Sequence, residues 1–421
     1  MGYSGTVNNT KSIREMLYNA NLHTKIYILL FVLFSFQIAP NDIVLALSVI
    51  VFFAANLETD IYLYMFSLPW MYVGKFSFGV TISLVNTVLL VLKIVTGKRK
   101  IRFTILEGII FAYLLMLGAL SLLLNRSFTG ISICLYYFIA VYVYSTYAVD
   151  REQCNEFWEK CLFIIMISTA ICIIYGFRAD TGYDRWIRGM GYVTQLYGTM
   201  GTSRFGLYLA LSLLYPLYYV DNKITKLILS VLVAISIIET VSMTALALLI
   251  FILGYYVLTT GRMSVRKARI FIVVGLAVAL VIIFWEQIGN IDALRPMYIR
   301  TNLIISQLKA GDLNTATSGR VSMSDVYVDR FESYSLFNKL FGGASLSVAE
   351  SGYSHNSYLD MLNYCGIVGA LLFALLQLRR IREYSKTAVK GQAILAKLLF
   401  IITGATVSIF SSQYWLMLFF M

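Results

Sequence analysis

The stretch from residue 354 to residue 373, SHNSYLDMLNYCGIVGALLF, decides the fold because it passes from a polar loop into an apolar run. Its polar start carries His355, and the chain has only two histidines. Its apolar part begins at Gly366 and continues into a run long enough to enter a membrane. We therefore predict a membrane helix that begins just after His355, with a long polar loop before it.

The composition predicts an all-α polytopic membrane protein. Hydrophobic residues make up 59% of the 421 residues and charged residues 13%, whereas charged residues are about 25% of a typical soluble domain. Apolar runs alternate with short polar stretches, and their lengths suit helices of about 20 residues. We predict a bundle of about 12 to 14 transmembrane helices, which forms a single integral membrane domain over residues 1–421.

The apolar runs also give the positions of the spans. We predict spans at about 25–39, 42–56, 60–74, 77–96, 103–124, 131–148, 161–176, 204–221, 225–240, 242–260, 270–286, 355–378 and 393–421. Two longer polar loops remain, residues 177–203 and the larger one, residues 287–354. Because long loops without regular structure are uncommon, we expect short helices in the larger loop that lie against the bundle, one of them over 325–337.

The distribution of positive charge predicts the orientation. The net charge is +12, but Lys and Arg concentrate in short loops, which is typical of cytoplasmic loops and not of a nucleic-acid surface. The basic segments Lys98–Arg102, Arg262–Arg269 and Arg379–Arg382 are therefore expected in the cytoplasm. Loops 177–203 and 287–354 are then expected on the outer face.

Several kinds of site have no sequence signal. The outer loops lack the paired carboxylates of a magnesium site and the His/Glu clusters of a zinc site. A Gly-rich phosphate loop and a GxSxG elbow are also missing from the sequence. The cysteines form no CxxC pattern, so we expect them to pack as small apolar side chains; they are Cys134, Cys154, Cys161, Cys172 and Cys365.

Charged residues are few within the predicted spans. The main ones are Lys93, Glu107, Glu239 and Asp360. Our interpretation is that Lys93 and Glu107 lie near cytoplasmic helix ends and extend toward water. A proton- or ion-coupled transporter more usually carries paired carboxylates or a relay within its spans.

Loop 177–203 carries arginines against the general tendency for positive charge to stay inside. They are Arg178, Arg185, Arg188 and, at its edge, Arg204, accompanied by Asp180 and Asp184. One interpretation is a site for an anionic ligand. The other is a local network of Arg–Asp pairs at the surface.

His355 and Arg320 together suggest a group transfer. A histidine can act as a base near neutral pH, and an arginine binds phosphate through two parallel hydrogen bonds. We therefore predict a leaving group that is a phosphate or pyrophosphate, stabilised by arginine in place of a metal ion. Asn356, Tyr358 and Asp360 are expected to support the histidine. The alternative is that His355 only caps the helix or bonds the loop.

The chain resembles the superfamily of O-antigen polymerases and O-antigen ligases. The resemblance covers residues 185–210 and 318–375 and rests on His355-Asn356-x-Tyr358-Leu359, Gly366-Ile367-x-Gly369, Ser318-Gly319-Arg320, Leu340-Phe341-Gly342-Gly343, Arg188-Gly189 and Arg204-Phe205-Gly206. The segments Ser242-Met243-Thr244 and Val321–Ser324 depart from the usual pattern of that superfamily.

This resemblance implies a metal- and cofactor-independent glycosyltransferase of the bacterial inner membrane, with its site on the periplasmic face. The donor would be an oligosaccharide linked to undecaprenyl pyrophosphate in the lipid bilayer, and a chain-length regulator would be a membrane partner. Arg320 and Arg188, with Arg185 and Arg204, would bind the pyrophosphate, and His355 would activate the acceptor hydroxyl.

Three functions remain open at this point. A polymerase joins repeat units of O-antigen, capsule or exopolysaccharide, and it is the function we favour. A ligase transfers the finished polymer to the lipid A core. A flippase moves the lipid-linked sugar without chemistry and would tolerate loss of His355. Cells that lack the protein separate the first two, because single repeat units on the core indicate a polymerase and polymer left on its carrier indicates a ligase.

The predicted orientation can be tested by labelling. In a variant without the native cysteines, we expect a cysteine at Ser333 to react with an impermeant maleimide added from outside. A cysteine at Ser264 should stay unlabelled until the membrane is permeabilised, because Arg262–Arg269 is expected inside. Labelling of Ser264 in place of Ser333 would invert the orientation.

Overall fold

A computed structural model describes residues 13–38, 40–70, 74–97, 101–147, 151–179, 202–240, 242–259, 283–291, 294–317, 319–344, 354–387 and 389–407. The helices are α1 (Ile13–Asn19), α2 (Leu22–Ser35), α3 (Asn41–Ala54), α4 (Leu57–Ser67), α5 (Ile82–Thr96), α6 (Ile105–Asn125), α7 (Thr129–Tyr147), α8 (Arg151–Ala179), α9 (Thr202–Tyr219), α10 (Lys223–Glu239), α11 (Met243–Thr259), α12 (Trp285–Ile288), α13 (Arg295–Lys309), α14 (Leu313–Ala316), α15 (Arg320–Ser333), α16 (Leu336–Phe341), α17 (Ser357–Tyr384) and α18 (Lys390–Gly404).

The all-α membrane fold is confirmed for this part of the chain. No strand occurs among the described residues, where a lone bridge joins Lys75 and Thr81. Helices α6, α7, α8 and α17 are long and apolar enough to cross a membrane, and α2, α3, α5, α9 and α11 are shorter apolar helices. The predicted span at 270–286 and the end of the one at 393–421 lie outside the described residues, so the number of spans stays a prediction.

Asparagine and threonine side chains fix where many of these helices begin. At the start of α6, the Thr104 side chain accepts from the N–H of Glu107, and the Glu107 carboxylate accepts from the N–H of Thr104 at 2.8 Å. The N-caps Asn21, Asn56, Thr81, Asn222 and Asn356 act in the same way. Such caps bond N–H groups that a helix leaves open at its first turn. Helix starts are therefore encoded locally.

Helices α6 and α17 run antiparallel and define the two faces of the bundle. At the start of α6, Glu107 forms an ion pair with Arg380, which lies near the end of α17. At the end of α6, the Asn125 side chain donates to the carbonyl of Ala344, 3.2 Å away, in the loop before α17. The beginning of α17, which follows His355, therefore lies at the face opposite Arg380.

Helix α17 is broken in its middle at Gly366. The backbone there is left-handed, with φ +65° and ψ −173°, and it interrupts the helical hydrogen bonds. The loop before α17 supplies the missing donors. The N–H of Gly343 donates to the carbonyl of Asn363 at 2.9 Å, and the N–H of Ala344 donates to that of Tyr364 at 3.3 Å. The loop thus supplies hydrogen-bond donors to two carbonyls of α17 at the break.

Tyr113 in α6 also bonds α17 and the end of α16 at the break. Its hydroxyl lies 2.5 Å from the carbonyl of Cys365 and 2.9 Å from that of Phe341. Along the axis of α6, Tyr113 lies about 12 Å from the first residue, Ile105. The whole helix is about 31 Å long. The end of α16 therefore lies level with the middle part of α6 and not beyond its last turn.

Gly366 is required at the break for space as well as for conformation. A Cβ atom at this position would lie 2.5 Å from the Gly342 nitrogen and still closer to the Leu340 carbonyl oxygen. We expect Gly366→Ala to destabilise the protein by about 3 kcal/mol, since overpacking costs about 1–3 kcal/mol and left-handed strain about 1–2 kcal/mol. Thermal unfolding in detergent measures this change.

Gly311 provides the matched control for that experiment. It is also left-handed, with φ +75°, but no atom lies within 4 Å of the place that a Cβ atom would occupy. Gly311→Ala should therefore cost only the conformational strain, about 1 kcal/mol. Equal losses in the two variants would show that the contact with the loop is not a tight one.

Candidate functional site

The turn around His355 is built from buried polar groups, although His355 itself is exposed. His355 has a left-handed backbone, with φ +55°. On one side, the buried Ser354 hydroxyl lies 2.7 Å from the carboxylate of Asp360, which is also fully buried. On the other side, the Asn356 side chain caps α17 by accepting from the N–H groups of Tyr358 and Leu359. The turn holds the histidine at the start of the helix.

The start of α17 is also fastened to the end of α18. The Ser357 hydroxyl donates to the carbonyl of Val407 at 2.7 Å, and the Tyr358 hydroxyl donates to the carbonyl of Ile401 at 2.6 Å. The hydroxyl hydrogen of Tyr358 is therefore used between helices. Of the three supporting residues predicted from the sequence, Asn356 and Tyr358 serve the helix end, and Asp360 serves the turn that contains His355.

The larger loop contains short helices that lie against the bundle, as expected. The side chain of Asn363 in α17 donates to the carbonyl of Tyr327 in α15 at 3.1 Å, and Tyr327 is fully buried. The helix expected over 325–337 is divided between α15 and α16, because Ser335 starts a new helix by accepting from the N–H of Asn338. Helix α15, which begins with Arg320, is thus attached to the helix that follows His355.

Arg320 lies in an electropositive position at the first residue of α15. Its side chain is half-buried, and Gly319 precedes it in a left-handed conformation, with φ +78°. Burial, and then the nearby positive charge of Arg300 in α13, lower the pKa of Arg320. The start of a helix adds the positive end of its dipole. Two guanidinium groups and a helix start favour an anion at this place.

Arg300 was not singled out from the sequence. It lies in the larger loop, which is too long for the charge bias of short loops to apply, so no sequence signal distinguished it. By contrast, Arg185 and Arg188 lie outside the described residues. Arg204 lies in α9, but its side chain is not among those described. The proposed grouping of these three arginines with Arg320 stays a prediction.

The interpretation of Glu107 as a residue that extends toward water is wrong. Glu107 is only 2% exposed and forms an ion pair with Arg380, which is fully buried. The guanidinium of Arg380 also stacks on the ring of Tyr144, 3.0 Å from its centroid. A buried carboxylate needs such a partner because an isolated charge is costly in an apolar environment. The pair joins the start of α6 to the end of α17.

Lys93 is likewise paired and does not simply extend toward water. Its ammonium group lies 2.6 Å from the buried carboxylate of Asp60 and 2.8 Å from each of the carbonyls of Phe52 and Ala55. Helix α5, which carries Lys93, ends shortly before α6 begins. This pair therefore lies at the same face as Glu107. The two buried ion pairs are far from the turn that contains His355.

The five cysteines are buried, as expected of small apolar side chains. Across the described ranges, no group of three or more His, Cys, Asp or Glu side chains is arranged to hold a metal ion. Comparison of the chain with protein-family models, with curated proteins and with solved structures finds no match.

Proposed function

We propose that this protein is a membrane glycosyltransferase that polymerises lipid-linked oligosaccharide repeat units. One observation carries the proposal: the helix that begins with Arg320 packs on the helix that follows His355. An anion-binding group and a base are thereby held by one framework. The resemblance to O-antigen polymerases and ligases, read from the same segments, supplies the chemical class.

The proposed reaction needs both groups. His355 accepts the proton of an acceptor sugar hydroxyl as its oxygen attacks the anomeric carbon of the donor. The bond from that carbon to the pyrophosphate oxygen breaks, and its electron pair leaves with the undecaprenyl pyrophosphate. Arg320, beside Arg300, stabilises the negative charge that develops on the leaving oxygen. The proton, the glycosyl group and the leaving group are all accounted for.

The orientation supports a site on the outer, periplasmic face of the bacterial inner membrane. The start of α17 lies opposite Arg380, and the segment Arg379–Arg382 has the basic character of cytoplasmic helix ends. Lipid-linked repeat units that have crossed the membrane present their sugars on that outer face. We therefore propose that His355 faces the periplasm.

Two buried ion pairs favour this proposal over a flippase. A flippase of lipid-linked sugars would need charges that face a central cavity. The buried carboxylates of Asp60 and Glu107 are instead in ion pairs with Lys93 and Arg380. A ligase uses the same donor and differs only in its acceptor, so the choice of polymerase over ligase rests on the breadth of the polymerase class.

Arg320 provides the first test of the proposed chemistry. We expect Arg320→Ala to lower transfer by about 10²–10³-fold, the usual effect of losing one donor to a developing oxyanion. Arg320→Lys should lose nearly as much, because an ammonium group cannot make two parallel hydrogen bonds. Transfer from lipid-linked donor in detergent-purified protein measures both variants.

The control for this test is Arg330→Ala on the same helix. The Arg330 guanidinium lies over the ring of Tyr334, 5.8 Å from its centroid, and we assign it no role in transfer. Arg330→Ala should keep near-normal activity. Full activity of Arg320→Lys would show that only a diffuse positive field is needed.

His355→Gln tests the base. Glutamine keeps the hydrogen-bonding capacity of the side chain but cannot accept a proton near pH 7. Because a positioned base contributes about 10²–10⁴-fold, we expect transfer to fall at least about a hundredfold while the donor still binds. His23→Gln, which removes the other histidine, should leave transfer unchanged. Near-normal turnover of His355→Gln would make His355 a structural residue.

A further inference from the structure

We propose that Ser354 and Asp360 are positioning residues that fix the direction of the His355 side chain for the proton transfer. The proposal rests on the proposed function, because it concerns the same histidine. It goes beyond that function because it states that a buried hydrogen bond orients the His355 side chain. The two residues lie on either side of His355 in the sequence and are joined by a hydrogen bond.

The hydroxyl of Ser354 is the centre of this arrangement. It accepts from the N–H of Asn356 at 2.9 Å. It lies 2.7 Å from the carboxylate of Asp360 and 2.7 Å from the carbonyl of Asn356. A hydroxyl has one hydrogen to donate, and a carboxylate is the stronger acceptor. The Ser354–Asp360 bond therefore closes a ring of residues that includes His355.

Both partners in this bond are fully buried, with 0% of their surface exposed. A buried carboxylate is disfavoured, and a left-handed backbone is uncommon for residues other than glycine, although histidine adopts it more often than most of them. Both features occur in the same turn. Strained residues that the surrounding structure holds in place are concentrated at functional sites. A requirement for one fixed direction of the exposed His355 side chain accounts for the combination.

The helix does not need the Ser354–Asp360 bond in order to stay in place. Asn356 caps its first turn, and Ser357 bonds the carbonyl of Val407 at 2.7 Å. Farther along, the carbonyls of α17 are bonded by the loop at Gly343 and Ala344. Loss of the Asp360 carboxylate should therefore act on the turn at His355 and leave the position of α17 intact.

The first experiment separates kcat from KM. Lipid-linked repeat units extracted from cells that lack the protein serve as the substrate for the full-length purified protein. Asp360→Asn keeps an oxygen acceptor for Ser354, so it should retain most of the activity. Asp360→Leu removes the acceptor, and we expect kcat to fall about 10–100-fold, part of the contribution of a positioned base, with KM unchanged.

Ser354→Ala removes the donor of the same hydrogen bond, so it should lower kcat as Asp360→Leu does. Its matched control is Ser168→Ala. The Ser168 hydroxyl is also fully buried and bonds the carbonyl of Phe66 at 2.6 Å and the indole of Trp70 at 3.0 Å. Ser168→Ala should lower thermal stability without changing kcat. An equal loss of kcat in the control would assign the effect to general destabilisation and overturn the proposal.

The second experiment observes the histidine itself. In a His23→Gln background, His355 is the only histidine, so ¹⁵N-labelled histidine gives a single imidazole spectrum. We expect Asp360→Leu to shift or broaden that spectrum and Asp360→Asn to leave it like that of the parent. An unchanged spectrum and an unchanged kcat in Asp360→Leu would overturn the proposal.

The base assignment and the positioning proposal fail separately. If His355→Gln keeps its turnover, the base assignment fails, and the positioning proposal fails with it. If His355→Gln loses turnover but Asp360→Leu and Ser354→Ala keep a normal kcat, only the positioning proposal fails.

Discussion

The break at Gly366 is the constraint on which the rest of this structure depends. Carbonyl groups that face no donor within an apolar bundle are costly, by several kcal/mol for each group in lipid. Here the loop donates from Gly343 to the carbonyl of Asn363 and from Ala344 to that of Tyr364. The hydroxyl of Tyr113 donates to the carbonyl of Cys365. The membrane helix is thus complete only when the loop is in place. This dependence links a residue in the loop, such as Arg320, to one at the helix start, such as His355.

The opposite end of the same helix is held by charge. Arg380 pairs with Glu107, and the side chain of Arg379 donates to the hydroxyl of Thr104, the N-cap of α6, at 2.9 Å. Removing one member of a buried pair costs about 3–5 kcal/mol, although replacing both with apolar residues can cost little. The pair is therefore weak evidence for stability. Its clearer consequence is register, since it fixes which turn of α17 faces the start of α6.

Much of this fold could be predicted from the sequence because its signals are local. The span predicted at 103–124 is α6, and the caps that start the helices are one residue each. The ion pairs could not be predicted in the same way. Glu107 and Arg380 are 273 positions apart, and composition gives no indication of which helices become neighbours. The left-handed Gly366 was read only as part of a motif, because a glycine in an apolar run does not reveal its backbone conformation.

Only some residues of the candidate site were proposed from the sequence. The others were missed because their contacts, like the ion pairs, cannot be read from the sequence. His355 and Arg320 were proposed from residue type and position, but Arg300 and Ser354 were not. Their importance comes from neighbours: Arg300 from its charge beside Arg320, and Ser354 from its bond to Asp360. Such contacts depend on the packing of α13 and α15 and on the turn at the start of α17, and no sequence period encodes them.

The depth at which the loop is anchored limits how a site of this kind can work. Swinging the end of α16 outward would leave the carbonyls of Asn363 and Tyr364 without donors inside the bundle, at a cost that thermal motion does not readily supply. Helix α15 is further held by the buried Tyr327 and its bond from Asn363. Arg320 and the turn of His355 therefore belong to elements that are bonded to the rest of the bundle. For the reaction proposed above, such attachment would be an advantage, because groups that are already oriented need not reorganise as charge develops.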